Sequence, residues 1–75
     1  MLYTAPKTIR KTTMKLQPGD VVSTGNCFHG FWSYEIVKVE PSKYNKRTAL
    51  VTVRFDHGGC ETIVYGKNTR WAVMA

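Results

Sequence analysis

From Ala49 to Phe55 the chain alternates strictly. Ala49, Val51, Val53 and Phe55 fall on one face of an extended backbone, and Leu50, Thr52 and Arg54 fall on the other. That is the period-two pattern of a half-buried strand. Asp56-His57-Gly58-Gly59 follows as a tight turn, because Gly-Gly tolerates the positive φ that hairpins need. The chain then returns as a strand over Cys60–Tyr65. Tyr34–Glu40 is a second run of strand formers, stopped by Pro41. Its alternation is impure: Ile36, Val37 and Val39 share one side only with a bulge or with burial on both faces. Gln17-Pro18-Gly19-Asp20 carries the Pro-Gly turn signal and opens a short strand, Asp20–Thr24. Between these strands, Gly25–Gly30 reads as an irregular loop running on through Phe31-Trp32, and Ser42–Arg47 as a polar, basic loop. Gly66-Lys67-Asn68-Thr69 reads as a short turn, one turn of 3₁₀-helix, before a last strand Arg70–Met74. Upstream of Leu16 no 3.6-residue period is present, and Thr4, Thr8, Thr12 and Thr13 disfavour a helix. This segment predicts a flexible basic arm with an edge strand around Ile9–Met14, its charge guarding against edge-to-edge pairing.

These elements predict one all-β domain over residues 16–75, a partly open barrel of five to six strands, with a basic N-terminal arm at 1–15. Seventy-five residues suffice for one core and no more. A core of that size is marginal, so a homo-oligomer is one way to complete it. Leu16-Gln17-Pro18-Gly19-Asp20-Val21-Val22 resembles the opening of small SH3-like barrels of the Tudor and KOW type, in which a Gly-Asp turn launches the first strand. Val53-Arg54-Phe55-Asp56-His57-Gly58-Gly59 is similar to their Phe-Asp-x-Gly hairpin. The resemblance spans residues 16–74 and implies an SH3-like architecture. KOW sequences place a glycine before the second hydrophobic run, where this chain has Phe31-Trp32-Ser33, which points away from ribosomal and transcription-factor KOW proteins. The short chain also looks like a small reading frame of a bacteriophage or mobile element.

Charge adds the functional clue. Eleven Lys and Arg face five carboxylates, a formal net charge of +6, and the excess is segmental. Residues 1–19 hold Lys7, Arg10, Lys11 and Lys15 with no acid, and residues 41–54 hold Lys43, Lys46, Arg47 and Arg54 with no acid. Such segregation produces a positive field that attracts polyanions; the plainer reading is a solubilising surface. Cys27-Phe28-His29-Gly30-Phe31-Trp32-Ser33-Tyr34 concentrates aromatic rings. On the long first loop of an SH3-like barrel, Phe28, Phe31, Trp32 and Tyr34 can stack bases or form a partner groove, or plug the end of a small core.

Together these features predict a non-catalytic nucleic-acid-binding module. Lys7, Arg10, Lys11, Lys43, Lys46, Arg47 and Arg54 would neutralise phosphates, and the aromatic loop would favour single strands or RNA. The alternative is a protein-protein interaction module, such as a phage modulator of a host protein, using the aromatic groove. No carboxylate pair, phosphate loop or nucleophile elbow points to an enzyme. Thr62-Ile63-Val64-Tyr65 is faintly similar to the pore strand of the type II dihydrofolate reductases but lacks its glutamine. Cys27, His29, His57 and Cys60 form a chemically legal zinc set at unusual spacing, and a Cys27–Cys60 disulfide is a further alternative. The expectation is inert residues, with no metal and no cofactor. No apolar leader or membrane-length run is visible, so the chain is expected in the cytoplasm.

Overall fold

A computed structural model describes residues 2–75. Its longest strand, β3 (Gly30–Pro41), bends the sheet around the core. Ile36 pairs with Val53, but the next pair is Lys38 with Thr52, leaving Val37 as the extra residue of a β-bulge. The impure alternation of Ile36, Val37 and Val39 has this cause: the bulge lets Ile36 and Val39 face the same side.

Six antiparallel strands build one sheet in the order β1-β6-β2-β3-β4-β5. They are β1 (Thr8–Thr12), β2 (Val21–Asn26), β3, β4 (Thr48–Arg54), β5 (Cys60–Gly66) and β6 (Arg70–Met74). The sheet curls without closing, so β1 and β5 are its two edges. Inside the curl, Leu16, Val22, Ile36, Val51, Val53, Trp71 and Val73 form one buried cluster, with Tyr34, Val39, Phe55 and Tyr65 packed against it. Each fully buried aliphatic side chain here contributes on the order of 1.5–3 kcal/mol by leaving water. As the alternation predicts, Ala49, Val51 and Val53 are buried and Phe55 is half-buried.

The expected turns form. Pro18-Gly19 turns between Gln17 and Asp20, with the Asp20 N–H donating to the Gln17 carbonyl at 3.0 Å and Gly19 at φ +95°. Proline first and a positive-φ glycine second is the type II arrangement. The β4–β5 hairpin closes by the Phe55 N–H donating to Gly59 O at 2.8 Å.

Four local expectations are corrected. Gly25–Trp32 is not an irregular loop: β2 and β3 pair as far as Asn26 and Gly30, and only Cys27–His29 turn. Gly25 reads as a strand breaker, yet its φ of +120° lets the two backbones close; a Cβ there would collide with the Gly30 carbonyl and the Phe31 Cα. Gly66–Thr69 is a plain turn, and the 3₁₀ turn lies instead at Thr13–Lys15. The edge strand stops at Thr12 because the chain there dives into the core: Thr13 is fully buried. The start of the arm lies along the β2–β3 hairpin, with the Tyr3 N–H donating to Cys27 O at 2.8 Å.

Thr13 fastens the two ends of the curl. Its hydroxyl donates to the Gly66 carbonyl at 2.7 Å and accepts from the Trp71 indole N–H at 2.9 Å. Tyr65 of β5 meets Trp71 of β6 edge-on, ring centroids 4.4 Å apart. Strands distant in sheet order are thereby brought face to face.

Candidate functional site

The cations separate into paired and unpaired groups. Lys11 binds Asp20 at 3.1 Å, Lys38 binds Glu40 at 2.6 Å and Arg54 lies 3.6 Å from Glu35. Two of the cations expected to meet phosphate, Lys11 and Arg54, are therefore engaged with carboxylates. Asp20 accepts first from the Gln17 backbone N–H at 2.9 Å and then from the Lys11 ammonium. Those two donors hold its carboxyl below the usual carboxylate range against the opposing effect of partial burial.

Most of the remaining cations gather at one place. Three backbone segments meet there: the 3₁₀ turn Thr13–Lys15, the β3–β4 loop Ser42–Arg47 and the β5–β6 turn. The Lys67 N–H donates to Arg47 O at 2.9 Å, and the Thr13 N–H to Thr69 O at 3.0 Å. Lys15, Lys43, Lys46, Arg47 and Arg70 are exposed on these segments and Lys67 is half-exposed. No carboxylate occurs in any of the three, and none of these cations forms an ion pair among the described residues. Arg10 extends the group, because it lies diagonal to Arg70 on the outer face of the β1–β6 pair. Lys7 sits at the start of β1, its carbonyl accepting from the Ala75 N–H at 3.1 Å.

At the centre of the loop stands Tyr44, 98% exposed between Lys43 and Lys46-Arg47. The loop beneath it is shaped by local hydrogen bonds. The Tyr44 N–H donates to Ser42 Oγ at 3.2 Å, the Arg47 N–H to Asn45 Oδ1 at 2.8 Å, and the Thr48 N–H to Asn45 O at 3.3 Å. Ser and Asn side chains that bond the backbone two residues on define such turns. A ring so fully in water contributes nothing to the core.

The expected aromatic group divides. Phe28, at the hairpin tip, is 76% exposed and Trp32 56% exposed, whereas Phe31 and Tyr34 are half-buried. Trp32 and Tyr34 share the inner face of β3, while Phe31 lies on the outer face. Tyr34 joins a row of rings, 6.0 Å from Phe55, which stacks on His57 at 5.5 Å. Burial, and secondarily the neighbouring Tyr65, pushes the Tyr34 phenol up. Cys27 and Cys60 are exposed free thiols. They do not gather with His29 and His57, and no group of three or more His, Cys, Asp or Glu forms among the described residues. No helix is long and apolar enough to cross a membrane.

Sequence reading missed Tyr44, Lys15, Lys67 and Arg70. Tyr44 had a signal, an aromatic ring interleaved with cations; the other three join only because the barrel folds their segments together. No protein-family model, curated protein or solved structure matches the chain.

Proposed function

We propose that this protein is a non-catalytic module that binds single-stranded nucleic acid, RNA in particular, through the β3–β4 loop and the cations around it. The observation that carries the reading is Tyr44, a fully solvated ring held on an ordered loop between Lys43 and Lys46-Arg47. Cations spaced around an exposed ring suit a strand whose phosphates they neutralise and whose base stacks on the ring. A duplex, its bases already stacked, offers only the phosphates. Such a role belongs to the cytoplasm, and it fits the phage or mobile-element reading frame that the chain resembles.

The test is fluorescence anisotropy with labelled 12-mers of single-stranded RNA, single-stranded DNA and duplex DNA. Binding of single strands should exceed that of duplex and weaken roughly 50-fold between 50 and 200 mM salt if about four phosphates are contacted. Changing Lys43, Lys46 and Arg47 together to Ala should flatten that slope. No binding of any strand at low salt and micromolar protein would sink the reading.

A second reading rests on Phe28 and Trp32, which with Leu2 and Tyr3 leave exposed apolar surface along the hairpin. Such a patch suits a partner protein. Affinity purification with and without nuclease separates the two: one stoichiometric protein band that survives nuclease favours the partner.

A further inference from the structure

The ladder between β2 and β6 consists of one residue pair, Val22 with Val73. Beyond it the strands part, and strand-edge backbone groups of both are left without a ladder partner. The parting opens a pocket of about 250 Å³. Ser23 and Thr24 form one wall and Arg70 and Trp71 the other, with the half-buried rings of Tyr34 and Tyr65 across the inner side. The aromatic wall is fixed in place, because the Trp71 indole is held by Thr13 and Tyr65 packs edge-on against it.

The lining defines the occupant. The volume lies below the ~300 Å³ at which sites for drug-sized ligands begin, so one planar ring fits and a large metabolite does not. Aromatic walls suit a flat ring, while the phenol, threonine and serine hydroxyls and the open strand edges suit a ring whose rim carries donors and acceptors. Arg70, which lines the pocket and is exposed on the outer face of β6, disfavours a cation and favours a group attached to phosphate. The pocket is also continuous with the cationic surface, since Thr69 ends the turn whose Lys67 bonds the basic loop and Arg70 directly follows it.

The geometry points to this cleft as a base-binding pocket, which takes one unstacked nucleobase of the strand held at Tyr44 and the loop cations. The inference rests on the nucleic-acid reading and names a second, separate contact within it. Arg70 grips the phosphate beside the inserted base, and the hydroxyls of Tyr65 and Thr24 read its rim.

Trp71 supplies the measurement. The chain has two tryptophans, so Trp32→Phe leaves Trp71, in the pocket wall, as the sole reporter. Titration of that variant with a single-stranded 12-mer should change Trp71 emission saturably. An abasic 12-mer, carrying phosphates but no bases, should bind by anisotropy without that change. Tyr65→Phe and Thr24→Val keep the shape of the wall and should each weaken the normal 12-mer ~2–10-fold, as expected for one lost hydrogen bond, while leaving the abasic strand unaffected. If the 12-mer binds by anisotropy yet Trp71 emission and both variants show no effect, the pocket is overturned and the loop interface stands. If the abasic strand changes the emission equally, phosphate and not a base occupies the cleft, and the inference also falls. If no strand binds, both readings fall together.

Discussion

Tyr44 and Asp20 show how differently two polar-loop residues can serve the molecule. Tyr44 touches nothing that holds the fold, so Tyr44→Ala should leave the Tm unchanged. It should nonetheless cost ~1–3 kcal/mol in affinity for single strands with an unaltered salt slope, because stacking displaces few counterions. Thermal melting beside anisotropy checks both halves. Asp20, by contrast, ties the Pro18-Gly19 turn to the edge strand through Gln17 and Lys11. Its carboxyl is held below the ordinary range in the folded chain. The stability it contributes is therefore present above the unfolded value of about 3.9 and lost as pH falls through the folded value. Asp20→Asn should lower the Tm at pH 6, and the gap to the native chain should shrink steadily below about pH 4. A gap that stayed constant down to pH 2 would show that the carboxylate charge is not what holds the turn.

At the scale of elements, the 3₁₀ turn Thr13–Lys15 matters more than its length suggests. Thr13→Val preserves shape but leaves the buried Trp71 indole N–H without its acceptor, and it removes one of the two donors to the Gly66 carbonyl, which keeps the Thr69 N–H. The expected cost is ~1–3 kcal/mol, read from denaturant midpoints at constant m. Thr13→Ser retains the hydroxyl and should recover most of that loss. The β2–β3 hairpin depends on Gly25 in another way. A side chain there meets backbone, which has no easy means of yielding, so Gly25→Ala should be among the most disruptive single changes in the chain. Gly19→Ala meets no atom within 4 Å and is opposed only by its positive φ, so it should cost only about 1–2 kcal/mol. Melting both variants together tests the ordering, and equal losses would contradict it.

For the whole molecule, an unclosed sheet predicts uneven protection. Amide exchange should be slowest in β3 and β4, which are flanked on both sides, and fastest in β5 and β1, which each pair with one neighbour. Uniform protection of β5 and β4 would mean that a second chain covers the β5 edge. How much of this architecture the sequence could disclose depends on the range of the forces involved. Ala49–Phe55, its return strand and the Pro-Gly turn were legible because period-two alternation and positive-φ glycines act between residues close in the chain. The need for a bulge near Val37 was legible for the same reason. The burial of Thr13 was not: its partners Gly66 and Trp71 lie 53 and 58 residues away, and no local pattern marks a threonine that will satisfy an indole across a barrel. The basic loop could be read as basic, and its exposed tyrosine was there to be seen. Which cations would be neutralised, and that Lys15, Lys67 and Arg70 would join the loop, depended on the curl of the sheet. Sequence by itself determined the β4–β5 hairpin, the Pro-Gly turn, the bulged strand and how much positive charge the chain carries. Tertiary structure alone decided where that charge is free and where β2 and β6 part to leave a pocket, because both follow from contacts between segments that only the curl of the open sheet brings together.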